Sequence, residues 1–186
     1  YGDAFVIGLC VGARIDHADP QRKPLPKPAM RSLMRPLGPV VVYATIIPWA
    51  NDPKFEDGSP AKMWQAHRAG IERQGGEWKR LRELHPGVPL VVAGDFNQDR
   101  DGSGWYGTKD ARAELGAALA ATDLTCLTEA DAVAIGQLKS DHLIDHICAT
   151  SDLVSQGGMR CWEKVDQQGR RLSDHPTVAI TLAVTQ

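Results

Sequence analysis

Two short polar motifs hold the residues of this 186-residue chain that are best suited to chemistry. In Gly94-Asp95-Phe96-Asn97, a carboxylate and an amide stand two positions apart, directly after an apolar run. Side chains two positions apart in extended backbone project to the same side, so Asp95 and Asn97 would emerge together. Such a pair could hold a metal-bound phosphate or its attacking water. An Asx-turn at the end of a strand explains the pair equally well.

The second motif, Ser173-Asp174-His175, supplies another carboxylate and an imidazole. Because the unperturbed pKa of histidine is about 6.5, His175 is the best general-base candidate. The same triplet occurs at Ser140-Asp141-His142, but only the later copy directly precedes a terminal apolar run. A metal-independent hydrolase with Ser173 as nucleophile is disfavoured, because neighbouring side chains in an extended segment point apart.

Short apolar runs and helical spacing predict the elements that must position these motifs. Strands are predicted at 4–11, 40–47, 88–93, 144–148 and 178–184, and helices at 61–85, with a disturbance at Gly75-Gly76, and at 110–121. Six prolines between residues 17 and 39 predict a long surface loop. Interleaved strands and helices with strand-rich ends favour a layered mixed-sheet structure over a parallel barrel.

Length and composition predict one compact domain over residues 1–186, which we expect to be monomeric. The formal net charge of −2 does not predict a non-specific nucleic-acid binder, because such proteins usually carry a net positive charge. The four cysteines form no CxxC pair, and no run of apolar residues approaches the length of a membrane span. The cellular compartment stays open.

Three motifs in chain order carry a resemblance to a known family. Gly94-Asp95-Phe96-Asn97, Ile144-Asp145-His146-Ile147 and Ser173-Asp174-His175 resemble motifs of the endonuclease/exonuclease/phosphatase family. The resemblance covers nearly the whole chain, including Tyr106-Gly107-Thr108 ahead of a helix. It implies an α/β fold, a four-layer α/β/β/α sandwich of two mixed sheets, of which this chain is the carboxy-terminal two-thirds.

The same resemblance implies a divalent-metal-dependent phosphoester hydrolase, with Mg²⁺ or Mn²⁺ as cofactor. Asp95 would activate the water and contact the metal, and Asn97 would hold the phosphate or the metal. Asp174 would bind the metal. His175 would be the general base, oriented by Asp145. His142 and His146 would be bystanders on an adjacent loop and strand, although either could reach the site.

Substrate identity is less readable. Nucleic acid, nucleotides, inositol phosphates and sphingomyelin are all substrates within the family. Trp105, Tyr106, Arg171 and the basic segment 23–35 are candidate substrate contacts, and a surface loop with packing aromatics explains them equally well.

Two departures from the family pattern leave an alternative open. The family's strand with a Gln-Glu pair, whose glutamate is the principal metal ligand, is not found within this sequence, and neither is the histidine expected after strand 40–47. Trp49 or Asn51 could replace that histidine. We therefore expect weak cation binding and poor activity from these residues alone, and a non-catalytic binding or scaffold protein of the same fold is the alternative.

Overall fold

The computed structural model describes the backbone of residues 4–9 and the full structure of residues 39–184. Its elements are β1 (Ala4–Leu9), β2 (Val41–Ile46), α1 (Gln65–Leu84), β3 (Leu90–Asp95), α2 (Lys109–Ala120), β4 (Leu124–Cys126), β5 (Asp145–Thr150), β6 (Leu153–Trp162) and β7 (Thr177–Val184). The proline-rich segment lies outside the described residues except for Pro39, which is exposed.

These strands form two sheets. The first has the order β2-β3-β5-β4 and is mixed, because β2 and β3 are parallel while β5 runs antiparallel to both β3 and β4. The second has the order β1-β7-β6 and is antiparallel in the described strands. The predicted two-sheet α/β architecture is thereby confirmed, with three layers within the part of the chain that the structure describes.

Strand β3 is an interior strand of the mixed sheet and is buried on both faces. Leu90 and Val92 pack with Trp78 of α1 and Leu115 of α2 in the core between the mixed sheet and the helices. The alternate side chains of the strand, such as Val91, belong to the core between the two sheets. A strand buried on both faces needs a continuous apolar run, which explains the sequence Leu-Val-Val-Ala before the polar motif.

Helix α1 continues through Gly75-Gly76, where the sequence had predicted a disturbance. A side chain at Gly75 would lie only 3.1 Å from Cβ of Ala118, so the glycine permits close packing of α1 against α2. Neither helix of the described residues has the length and apolar character needed to cross a bilayer.

Candidate active site

Two carboxylates meet where neighbouring strands of the mixed sheet begin and end. Asp95 is the last residue of β3 and Asp145 is the first residue of β5, and the two are direct partners in the antiparallel pairing. Directly opposed residues in such a ladder have Cβ atoms roughly 5 Å apart. The two carboxylates are close because they are opposed in the ladder, and their charges are poorly screened because both side chains are buried.

His175 reaches this pair from the second sheet, two residues before β7 begins. Its Nδ1 lies 2.8 Å from Oδ2 of Asp145. One ligand atom from each of Asp95, Asp145 and His175 lies within 4.8 Å of the others. We call these three residues the rim triad, because both sheets contribute to it at one edge of the sandwich.

Asn97 is held against the triad by its own side chain. Its Nδ2 donates to Oδ2 of Asp95 and to the carbonyl of Ile47, both at 2.9 Å, and its backbone N–H donates to Oδ1 of Asp95 at 2.8 Å. Both amide hydrogens are therefore committed, and the amide oxygen, which can only accept, remains to bind a cation. Asn97 has a φ of 47°, in the left-handed region that asparagine tolerates better than most residues.

The close approach of β2 and β3 depends on Gly94, which precedes Asp95. A Cβ at this position would lie 1.9 Å from the carbonyl oxygen of Thr45 in β2. Only glycine fits, so the first residue of the motif is required by strand packing rather than by chemistry.

The pKa values of Asp95 and His175 are both raised within the rim triad. Burial, with the charge of Asp145 as the second cause, raises the pKa of Asp95 to about 6, although hydrogen bonds from Asn97 oppose the shift. The hydrogen bond to Asp145 raises the pKa of His175, against an opposing effect of burial. Negative charge on Asp145 therefore favours the protonated forms of both neighbours.

One oxygen of the site has no hydrogen-bond partner in the part of the chain that the structure describes. Oδ1 of Asp145 is buried and accepts no hydrogen bond within the described residues. A buried, unsatisfied carboxylate oxygen is costly unless a cation or a donor completes its environment. Oxygen ligands at this density are those that Mg²⁺ prefers, so the residues present fit a divalent cation.

The other predicted site residues lie around the triad or away from it. Asp174 is exposed and is not one of the three clustered residues, although its charge contributes to the raised pKa of His175. Arg171 is exposed, and its Nε donates to the carbonyl of Ser173 at 3.2 Å. Both candidates for replacing the absent histidine, Trp49 and Asn51, are exposed.

Trp105 lies in the loop that follows β3. It is 57% exposed, and its ring stacks on the imidazole of His142, with ring centroids 5.4 Å apart and an interplanar angle of 24°. Nδ1 of His142 lies 2.8 Å from Oδ2 of Asp101, which fixes the imidazole beneath the indole. Asp101, Asp131 and His142 also form a second acidic group in the described part of the chain.

Sequence reasoning missed two buried residues beside the site, His67 and Gln98. His67 is fully buried on α1, and Gln98 follows Asn97 in the chain and is also fully buried. No motif marks either residue. The only available signal was the position of Gln98 directly after the Gly-Asp-Phe-Asn motif.

This chain is similar to solved structures, but no family model and no curated protein sequence matches it. The likeness is to endonuclease/exonuclease/phosphatase proteins. This is the same family that the motifs resemble.

Three of these structures illustrate the range of the likeness. They are a family member from Bacteroides vulgatus (17% identity, TM-score 0.44, covering 68% of this chain and 47% of that one), the human nocturnin catalytic domain with bound sulfate (19%, 0.42, 66% and 42%) and a mannosyl-6-phosphatase from Bacteroides thetaiotaomicron (18%, 0.44, 64% and 46%). The chain spans less than half the length of each. At these identities and scores we draw nothing about activity from the likeness.

Proposed function

We propose that this chain forms part of a divalent-metal-dependent phosphoester hydrolase of the endonuclease/exonuclease/phosphatase family. The observation that carries the proposal is the rim triad, in which Asp95, Asp145 and His175 converge from both sheets with ligand atoms within 4.8 Å of one another. The order of the three motifs along the chain supports the same family.

Mg²⁺ or Mn²⁺ would be held by carboxylate and amide oxygens of the site. The residues suited to this task are Asp95, Oδ1 of Asp145 and the amide oxygen of Asn97, together with Asp174, which is exposed and precedes His175 in the chain. When bound, the cation would neutralise phosphate charge as the phosphorus is attacked.

The proton from the attacking water would pass to His175. Because Nδ1 of His175 faces Asp145, that nitrogen carries the hydrogen in the neutral ring and Nε2 presents the lone pair. Oδ2 of Asp145 then stabilises the imidazolium that forms when Nε2 takes the proton. Asp95, whose pKa is about 6, is ionised at and above neutral pH and orients the water or the cation.

The substrate is a phosphoester, with nucleic acid among the candidates. Trp105 favours a substrate that contains an aromatic group such as a nucleobase. Its indole is largely exposed and is held by stacking on His142, so a base could stack on it. Arg171 is the candidate for a phosphate contact, since only Leu172 separates it from the Ser173-Asp174-His175 motif.

The burial of Asp95 and Asp145 counts against a non-catalytic binding or scaffold role. Two buried carboxylates in direct register destabilise the folded protein, and a packing role would be served better by apolar residues. Such an arrangement is typical of sites that bind a cation or transfer a proton.

The test is hydrolysis of a chromogenic phosphodiester and of a phosphomonoester in the presence of Mg²⁺ or Mn²⁺. We expect His175→Ala to lower kcat by about 10²- to 10⁴-fold, the usual contribution of a general base. The matched control is His85→Ala, which removes an exposed histidine at the end of α1. Equal rates for His175→Ala and wild type would refute the assignment of the base. Failure to cleave any phosphoester with either ion, including in a longer chain that extends before Tyr1, would refute the proposed function.

A further inference from the structure

His67 lies on α1, behind the mixed sheet, and contacts the segments that follow β2 and β3. Its Nδ1 lies 2.7 Å from the carbonyl oxygen of Pro48, after β2, and its Nε2 lies 3.2 Å from the side chain of Gln98, after β3. β2 and β3 are parallel neighbours, with Ile46 opposite Asp95, so the segments that follow them leave the sheet side by side.

Both partners of His67 are linked to Asn97. Pro48 follows Ile47, which hydrogen-bonds to the Asn97 amide, and Gln98 follows Asn97 itself. Ile47, next to Pro48, accepts a hydrogen bond from Nδ2 of Asn97 at 2.9 Å and donates its N–H to the carbonyl of Asp95 at 2.8 Å. Gln98 directly follows Asn97, whose φ of 47° is a conformation that neighbouring contacts must maintain. Fixing Pro48 and Gln98 therefore fixes the acceptor and the backbone of Asn97.

The hydrogen-bonding chemistry of His67 defines how the contact is made. Burial lowers the pKa of His67, so the ring is neutral at pH 7. Nδ1 then donates to Pro48, and Nε2 has only a lone pair to offer Gln98. A carbonyl oxygen of Gln98 would repel that lone pair, whereas its amide nitrogen would donate to it.

The buried atoms of Gln98 favour the same orientation. As assigned, Nε2 of Gln98 is buried with no partner among the described residues. Oxygen and nitrogen of such an amide are assigned from their hydrogen bonds, and exchanging them gives the nitrogen a partner in Nε2 of His67. The exchange leaves an oxygen unpaired instead, and buried carbonyls without a partner are less rare than buried N–H groups.

Gln98 is also held from a third direction. Nε2 of His146, in β5 beside Asp145, lies 3.0 Å from the carbonyl oxygen of Gln98. Trp64 contacts the imidazole of His67 edge-on, with ring centroids 5.0 Å apart. The side chain of Gln98 thus links the segment after β3 to α1, and the backbone carbonyl of Gln98 links it to β5.

We propose that His67 is a positioning residue that holds the segments after β2 and β3 together and thereby sets the orientation of the Asn97 amide. It lies outside the rim triad, because its hydrogen-bond partners are Pro48 and Gln98. The consequence for hydrolysis rests on the proposed function, but the geometry of Asn97 does not.

The test follows the side-chain amide protons of Asn97 by NMR, with the resonance assigned through its absence in Asn97→Asp. In His67→Ala we expect these protons to exchange with water about tenfold faster, because the hydrogen bond to Ile47 is weakened. The matched control is Leu115→Ala. Leu115 is a fully buried residue of α2 in the core between the mixed sheet and the helices. The proposal is overturned if both variants change the exchange of Asn97 equally.

Conservative variants separate positioning from general packing. Asparagine at position 67 places an N–H near the position of histidine Nδ1, whereas glutamine places one near Nε2. We expect His67→Asn to retain the slow exchange of Asn97 better than His67→Gln, because the contact with Pro48 is the shorter one.

The same comparison decides the matter if His67→Ala does not fold, and equal exchange in the two conservative variants would overturn the proposal. If the Asn97 resonance responds as expected while no phosphoester is cleaved, the positioning role stands and the proposed function fails.

Discussion

At the scale of single residues, Asp95 shows most clearly that the site works against stability. Its carboxyl group is buried beside Asp145, and its pKa of about 6 lies well above the ordinary value of 3.8. The folded protein therefore favours the protonated form, so the contribution of Asp95 to stability is complete below about pH 4. That contribution is lost as the pH rises through about 6.

We expect Asp95→Asn to remove this pH dependence. Relative to the variant, metal-free wild-type protein should lose about 2 kcal/mol of unfolding free energy between pH 4 and pH 7, a value reduced for the solvent that still reaches the group. Denaturant unfolding at several pH values measures it, with Glu83→Gln, which changes an exposed carboxylate, as the control. Parallel stability curves for wild type and Asp95→Asn would contradict the expectation.

Asp145 controls the neighbouring base. Because the hydrogen bond to Asp145 is the main cause of the raised pKa of His175, Asp145→Asn should lower that pKa, and NMR titration of the imidazole measures it. The control is Asp131→Asn, which lies in the second acidic group and should leave the His175 titration unchanged. A pKa of His175 that does not fall in Asp145→Asn would show that another group holds the proton.

The residues of the rim triad could be predicted from sequence, whereas their supports could not. Asp95 and His175 belong to short motifs with a recognisable order. His67 is a single histidine on an amphipathic helix, and nothing local distinguishes it from an exposed one. Its role depends on two strand ends that are brought to α1 only by tertiary packing.

At the scale of elements, β2 and β3 approach closely at Gly94. Gly94→Ala would place Cβ 1.9 Å from a backbone oxygen of β2, which no rotamer can relieve. We expect a loss of about 3 kcal/mol or more in unfolding free energy, measured by chemical denaturation.

A second glycine gives the matched control for this substitution. Gly76 lies in α1 with open space around it, so Gly76→Ala should stabilise the protein by about 1 kcal/mol. Similar effects at the two positions would mean that β2 and β3 approach less closely than described.

Element prediction succeeded where apolar patterns were long and failed where they were short. The strands around β3 and β7 and both helices lie close to their predicted positions. β4 spans only Leu124–Cys126, too few residues for a periodic pattern to appear. The continuity of α1 at Gly75-Gly76 was missed because it depends on packing against Ala118 rather than on local propensity.

At the scale of the whole molecule, cation binding should be linked to both pH and stability. A ligand present at one hundred times its dissociation constant stabilises the folded state by about 2.7 kcal/mol. Because protonated Asp95 binds a cation poorly, Mg²⁺ should raise Tm more at pH 7.5 than at pH 5.

Thermal denaturation of wild type and Asp95→Asn with Mg²⁺ or with a chelator provides the measurement. The variant should show little response to the cation at either pH. A shift in Tm that is the same at both pH values, or is retained in Asp95→Asn, would place the cation elsewhere.

The pairing of β1 with β7 has a consequence for synthesis of the chain. Ala4 lies opposite Ala183, so the earliest described strand has its partner in the last one. On the ribosome, the mixed sheet can pair and pack against α1 and α2 while the β1-β7-β6 sheet still awaits its central strand. Until β7 emerges, the apolar face formed by Val91 and Ile147 lacks the β7 residues that cover it in the folded protein, and exposed apolar surface of this kind favours aggregation of a partly folded chain.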